Sequence, residues 1–312
     1  MRKKSTYIFF LVLLFLIVMT FQSSAEESKP IRVLVDYDFV NLSLEPQMEN
    51  GNTLVEFRPI FERLGLNVKW DNQTKTIVAE KEGLNIQLTI ASKIAKVNNQ
   101  EKALLIAPAI INGHTVVPVR FIAENSGAEV QWDSKLRFVQ IFTLNGQLYN
   151  AVTGSNVAYW QGNVEEYTES IQGIHDILSK GADPNYIPYN ETSLLQGNVT
   201  TGSPQVADML LYAGADVDLK TNGITPLMQA VDYLRWDCAD VLLKYKPDLS
   251  IKDDNGFTIL ERILDSDYTD MHEEYRTKFQ FTMVLLENYV KRERLGKPYE
   301  DLIDKIKKKN YI

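Results

Sequence analysis

The chain has 312 residues, 45% of them apolar and 24% charged, which suits roughly two packed domains and excludes wholesale disorder or a collagen-like repeat. A formal charge of −8 repels phosphate backbones and argues against general nucleic-acid binding. One cysteine (Cys238) excludes an intramolecular disulfide framework and a multi-thiolate zinc site, and His114, His175 and His272 leave few imidazoles for any metal.

The first element in chain order is a targeting segment. Arg2, Lys3 and Lys4 precede an apolar run from Tyr7 to Met19, followed by Ser23-Ser24-Ala25. This is the pattern of a secretory signal peptide over residues 1–25, with cleavage expected after Ala25. The run is shorter than the roughly 20 residues needed to cross a hydrocarbon core, so the mature chain is expected to have no membrane span. A secreted or cell-envelope-associated protein is therefore expected.

Next comes a tandem duplication. Residues 50–71 and 112–133 share 11 of 22 positions at an offset of 62, among them Arg58/Arg120, Glu62/Glu124, Gly65/Gly127 and Trp70/Trp132. Val35/Val97 and Pro46/Pro108 keep the same offset. In each copy Asn-Gly predicts a turn, a short helix follows, a glycine ends it, and alternating apolar residues (Leu66, Val68, Trp70; Ala128, Val130, Trp132) predict a strand. Strands with short helices and no βαβ rhythm predict an α+β domain over 26–144 with antiparallel pairing. Trp70 and Trp132 are expected as core anchors, Arg58/Glu62 and Arg120/Glu124 as i, i+4 ion pairs, and His114 as a surface or turn residue.

The second copy, Asn112-Gly113-His114-Thr115-Val116-Val117-Pro118-Val119-Arg120 with Glu124, Gly127 and Trp132-Asp133, resembles the repeated phrase of the copper amine oxidase N-terminal-like (stalk) domain of exported bacterial proteins. The first copy departs from that phrase at Glu56, where proline is usual, and His114 replaces the usual arginine. The resemblance implies no oxidase chemistry, because such a site needs three imidazoles on copper. No catalytic, cofactor or metal residue is expected.

Residues 145–164, rich in Asn, Gly, Gln and Ser, are expected to form a linker. Beyond them a period of about 33 appears: Lys180-Gly181-Ala182-Asp183 returns as Ala213-Gly214-Ala215-Asp216 and, more weakly, as Lys246-Pro247-Asp248, while Thr192, Thr225 and Thr258 keep step. Thr225-Pro226 opens a helix with a cap and a proline at its first position, and Gly181 and Gly214 end others. Such units cannot bury their faces alone and must stack as an all-α solenoid. The phrase is similar to the ankyrin repeat, over about 165–290 within a domain of 165–312. Met228, Leu195 and Glu261 stand where that family carries histidine, residues 265–278 read as an insertion, and Tyr289 to Ile312 reads as a C-terminal helical cap.

Single features read blandly. Cys238 lies on an apolar helix face and is expected to be a buried, inert thiol. The lysines of 305–309 read as a solvated helix end. Asp253-Asp254-Asn255-Gly256 lacks the aspartate a calcium loop needs at 251, where Ile251 stands. The expected function is a non-catalytic exported interaction protein that binds another protein through the repeat tips, at Tyr186, Tyr189, Lys220, Asn222, Asp254 and Asn255, with the N-terminal domain as spacer or wall-associated module. The alternative is a cell-wall carbohydrate-binding protein in which residues 26–144 grip the polymer and the repeats are a spacer.

Overall fold

The computed structural model describes residues 29–188, 191–266, 268 and 272–310. The signal segment expected at 1–25, and Tyr189 and Asn190, lie outside the described residues.

The first copy of the duplication runs through β1 (Arg32–Val35), β2 (Asp38–Phe39), β3 (Gln47–Glu49), β4 (Asn52–Glu56), α1 (Phe57–Arg63), β5 (Asn67–Asp71) and β6 (Thr76–Lys81). A bridging strand, β7 (Leu84–Thr89), leads to the second copy: β8 (Ile94–Val97), β9 (Gln100–Ala103), β10 (Ala109–Ile111), β11 (His114–Pro118), α2 (Val119–Asn125), β12 (Glu129–Asp133) and β13 (Phe138–Phe142). The turn dipeptides behave as their sequence demands. Asn50 and Gly51 have φ of 48° and 75°, and Asn112 and Gly113 have 48° and 83°, the twin positive values of a tight hairpin.

The two copies interlock. One sheet, β12-β13-β1-β2, joins the end of the second copy to the start of the first; another, β5-β6-β7-β8-β9, does the reverse. Between them the sheet β10-β11-β4-β3 pairs Val55 with Val117, each other's counterpart in the duplication. A pseudo-twofold axis therefore passes through that pair, and Ile60, Phe61, Ile122 and Ala123 from the two short helices are buried beside it. The expectation of antiparallel pairing holds with one correction. β1 runs parallel to β13, because it reaches its partner across the interlock rather than through a hairpin.

The helical region comprises α3 (Leu144–Gln161), α4 (Val164–Ser179), α5 (Leu194–Thr201), α6 (Pro204–Tyr212), α7 (Pro226–Asp232), α8 (Trp236–Lys244), α9 (Ile259–Asp265), α10 (Glu273–Glu293) and α11 (Lys297–Asn310). The stretch expected as a linker at 145–164 is instead mostly α3. Thr143 caps it by accepting from the Gly146 N–H, and Leu148, Val152, Ser155 and Ala158 are buried along one side despite the polar composition. Ser193, Ser203, Thr225 and Thr258 cap α5, α6, α7 and α9 in the same way. Helices pack as successive pairs around a continuous core, and α11 lies against α9 and α10 with Ile303 and Ile306 buried. The lysines near its end are not all free. Lys309 donates to the carbonyls of Leu264 (2.7 Å) and Ser266 (2.9 Å), and Lys307 pairs with Glu287. Among the described residues no helix is long and apolar enough to cross a membrane.

Neighbouring pairs are tied by a spine of side chains that accept backbone N–H groups. Asn145 accepts from Asp183 (2.8 Å), Asn185 from Asp216 (2.7 Å), and Asp218 from Asp248 (3.0 Å). The first rung starts in α3, so the stack begins at the end of β13. Where α5 turns into α6, Gly202 sits against the side-chain oxygens of Asn198 and Asn156, and a Cβ there would overlap both.

The β region and the helices meet at the β1–β2 turn. Asp36 and Tyr37 both have positive φ, 48° and 74°, a rare conformation for a bulky residue. Asp36 accepts from Thr143 N (2.8 Å) and from Thr143 Oγ1 (2.5 Å) at the start of α3. Tyr37 packs on Phe142 and Tyr149, and its hydroxyl donates to Asn150. Burial raises the Asp36 carboxyl above its usual range, against the two bonds from Thr143.

Two outcomes are expected. Gly202→Ala loses about 1–3 kcal/mol in urea unfolding, because the overlap falls on packed amides. For Asp36, a raised folded-state pKa means a contribution fully present below the ordinary value of about 3.9 and lost as pH rises through the folded value. Asp36→Asn should therefore gain stability relative to the natural chain as urea titrations move from pH 4 to pH 7.

Candidate functional site

The hairpin tips that join successive helix pairs form one edge of the stack. Asn222 donates to Thr192 Oγ1 (2.8 Å), the Asp254 N–H donates to the Gly223 carbonyl (3.1 Å), and Lys220 Nζ bonds Asp254 Oδ1 (2.6 Å) and the Lys252 carbonyl (3.1 Å). Lys220, Asn222, Asp254 and Asn255 are thus brought together, all four exposed. Part of their hydrogen-bonding capacity already links one tip to the next.

Tyr186 does not join them. It is half-buried against the helical core, and its phenol is pushed up to about 12, first by burial and then by Asp36 and Asp38. It stands at the joint with the β region rather than at a tip, because Leu194 N donates back to its carbonyl and draws the segment inward. Tyr189 lies outside the described residues.

Behind the tips, the last tip of the row is anchored by a buried carboxylate. Asp253 accepts from Asn255 N and Phe257 N (both 2.9 Å) and from Arg262 Nη1 (2.6 Å), while Arg262 also bridges to Asp232 (2.7 Å). Burial pushes the Asp253 carboxyl up. The Phe257 N–H, the Arg262 guanidinium and the Asn255 N–H outweigh it and hold the group below the usual range.

A second feature is a shallow groove along α3, which the sequence pattern alone did not reveal. A hollow of about 480 Å³ between α3 and α5 runs past Val157 and Trp160, and a smaller one of about 310 Å³ continues it to Tyr37. Tyr149, Thr153, Val157 and Trp160, spaced i, i+4, i+8 and i+11, all line it; that spacing was the available signal, and the linker-like composition of 145–164 hid it. The Trp160 ring is 66% exposed, while its Nε1 donates to the Thr201 carbonyl.

In the β region the two departures from the family phrase are partners. His114 Nδ1 lies 2.5 Å from Glu56 Oε1, and Glu56 also accepts from the backbone N–H groups of Ser43 and Leu44. Burial raises the Glu56 carboxyl, but the Leu44 and Ser43 bonds and His114 bring it below its ordinary value. His114 is the partly exposed residue beside the turn that was expected, and it also makes a cross-strand contact. Trp70 packs on the core as expected; Trp132 is 37% exposed and lines a cleft of about 490 Å³ with Met48 and Leu105. Arg58–Glu62 (3.7 Å) and Arg120–Glu124 (3.5 Å) are the expected exposed pairs. Cys238 is fully buried, and burial pushes its thiol up to about 12. Among the described residues no group of three or more His, Cys, Asp or Glu could hold a metal ion, so the residues present do not fit a copper site.

Residues 34–141 match the copper amine oxidase N-terminal domain. The matched span covers the interlocked copies from β1 to β13 and stops before α3. Over 108 residues the chain is also 28% identical to a protein described as a protease inhibitor from Brevibacillus choshinensis. That similarity covers 35% of this chain and 33% of the relative, so the chain spans about a third of the length of the curated relative it matches.

Removing the Asp253 carboxylate leaves Arg262 and two N–H groups without it. Asp253→Ala is expected to cost about 2–3 kcal/mol in urea unfolding at pH 7. Because the folded pKa is depressed, the carboxylate's contribution is present above about pH 4 and fades as pH falls through the folded value, so the deficit of Asp253→Ala should shrink in acid.

Proposed function

We propose that the chain is a non-catalytic, exported interaction protein whose helical region is an ankyrin-like array that binds another protein, with residues 26–144 as a spacer or wall-associated module. The observation that carries this reading is the row of exposed tip residues, Lys220, Asn222, Asp254 and Asn255, held in register by bonds from one hairpin to the next. A pre-ordered edge of mixed charge and amide groups presents a fixed surface to a partner at little further ordering cost. Supporting the array are the period near 33, the Ser/Thr caps and the side-chain spine. Supporting export are the basic, apolar and small-residue segments of 1–25.

A second reading is favoured by the β-region cleft. Met48, Leu105 and the half-exposed Trp132 offer an apolar platform beside the Arg120–Glu124 pair, suited to a wall glycan. The relative's description adds a peptidase to the protein partners worth assaying.

The test uses the full mature chain and a Lys220→Ala/Asn255→Ala variant, which spares the buried anchors. Protein captured from the source's envelope fraction should fall at least tenfold with the variant, at unchanged circular dichroism and melting temperature. Equal capture by both proteins would contradict the reading. Co-sedimentation with purified wall, abolished by Trp132→Ala but not by the tip variant, would favour the glycan reading instead.

A further inference from the structure

The two copies of the duplication carry an equivalent bend with a different residue at its tip. In the first copy it is Leu42-Ser43-Leu44, followed by Pro46; at the offset of 62 it is Leu104-Leu105-Ile106, followed by Pro108. The flanks are anchored alike in both. Leu42 and Leu104 pack into the main core of the β region, while Leu44 and Ile106 pack with Leu54 and Val116 in a separate small cluster. Between the flanks, Ser43 and Leu105 are both exposed, Leu105 at 77%. Serine satisfies the equivalent bend, so the fold does not require a leucine at 105.

A lone exposed leucine is ordinary on a protein surface, so the backbone around it decides. In the first copy Glu56 closes the bend by accepting from the N–H groups of Ser43 and Leu44. The second copy has Pro118 at that position, whose side chain carries no acceptor. The Leu105 N–H accordingly has no acceptor among the described residues. The ends of the bend are fixed nonetheless. The Leu104 N–H donates to the Lys93 carbonyl (2.8 Å), and the Pro108 carbonyl accepts from the Ala91 N–H (2.9 Å). Leu105 therefore projects from a preformed bend, beside the exposed Met48 and Trp132 across the cleft.

These features select an occupant. It must accept a main-chain hydrogen bond and take up one aliphatic side chain, which is how an endopeptidase holds the residue before the bond it cuts. A glycan offers no pocket for that side chain. A bend already held at both ends loses little freedom on binding. Hydrolysis of the Leu105–Ile106 bond would add one water, leaving a carboxylate on Leu105 and an amine on Ile106. Leu104 and Ile106, buried in separate clusters, would keep both new ends in place.

We propose that this bend is an inhibitory loop in which Leu105 enters the apolar primary pocket of a serine endopeptidase. A peptidase is already among the partners worth assaying; the proposal rests on that suggestion, supplies the docking point, and gives the helical tips no part in it.

Inhibition of chymotrypsin and subtilisin, whose primary pockets accept apolar side chains, tests it with the full mature chain. At least one enzyme should be inhibited competitively, with the chain still intact by mass spectrometry after the assay. Leu105→Ser, which copies the first unit, should melt at the natural temperature and inhibit at least tenfold more weakly. Leu105→Lys should lose that inhibition and gain inhibition of trypsin, whose pocket carries an aspartate. A purely structural role for Leu105 would not switch specificity in this way. Ser43→Leu should leave inhibition unchanged, because Glu56 already holds that bend. The proposal fails if neither enzyme is inhibited, if the chain is cut at Leu105–Ile106 as an ordinary substrate, or if both Leu105 variants inhibit as the natural chain does. Wall co-sedimentation abolished by Trp132→Ala, with no inhibition, would assign the cleft to the glycan instead. The Lys220→Ala/Asn255→Ala variant should inhibit fully, so each of these failures leaves the tip reading standing.

Discussion

The placement of Asp36 on the first turn of α3 sets the geometry on which both halves of the molecule depend. Its carboxylate accepts both the N–H and the hydroxyl of Thr143, and Thr143 in turn caps the helix. Gly146 leaves the necessary space, since a Cβ there would overlap the Asp36 carboxylate. Burial works against the charge, while the bonds from Thr143 and the positive end of a long helix work for it. The net effect is a raised pKa, so the contact orients the two regions more than it stabilises them. Its consequence is local: Tyr37, forced to positive φ beside it, is laid onto Tyr149 and closes one end of the groove.

On either side of that joint the chain solves one problem twice. A single copy of the unit repeated at an offset of 62 cannot complete a sheet, so each copy supplies strands to the other's, and equivalent residues meet at Val55 and Val117. A single helix pair cannot bury its apolar face, so pairs stack, with Asn145, Asn185 and Asp218 each holding the next pair's backbone. The first solution closes on itself through a twofold. The second is open-ended, and α11 covers its last apolar face.

Much of this was legible in the sequence because repetition exposes physical requirements. The Asn-Gly turns, the helix-ending glycines and the Thr225 and Thr258 caps are local rules, and they operate where the offsets of 62 and 33 placed them; α5 is capped one residue past Thr192, by Ser193, and the Ser203 cap lies outside that pattern. What was not legible depended on tertiary context. Helix α3 was hidden because Asn, Gly, Gln and Ser make up 8 of its 18 residues, while the apolar spacing of Leu148, Val152 and Ala158 carries the helix. The parallel β1–β13 pair follows from the interlock, which no local pattern encodes. Tyr186 shares its turn composition with the tips, yet it is drawn to the joint by a backbone bond from Leu194. The Glu56–His114 contact joins positions 58 residues apart, and only the register of β4 against β11 brings them near.

The glycines separate structural demand from the rest. Gly181 and Gly214, at φ of 93° and 101°, end helices in a conformation that other residues resist. Gly146 and Gly202 are needed because carboxylate or amide oxygens press on them. Gly154 and Gly197 meet neither demand, although each lowers helix stability by about 1 kcal/mol relative to alanine. Gly173 shows that such a residue can also stand on a surface outside any hollow, so a weakened helix does not by itself mark a site. Gly154 and Gly197 open toward hollows with no charged side chain among the described lining residues, whereas the Asn156 and Asn198 oxygens are turned onto Gly202 and buried away from them, so helix propensity is given up at these two glycines without a contact that explains it.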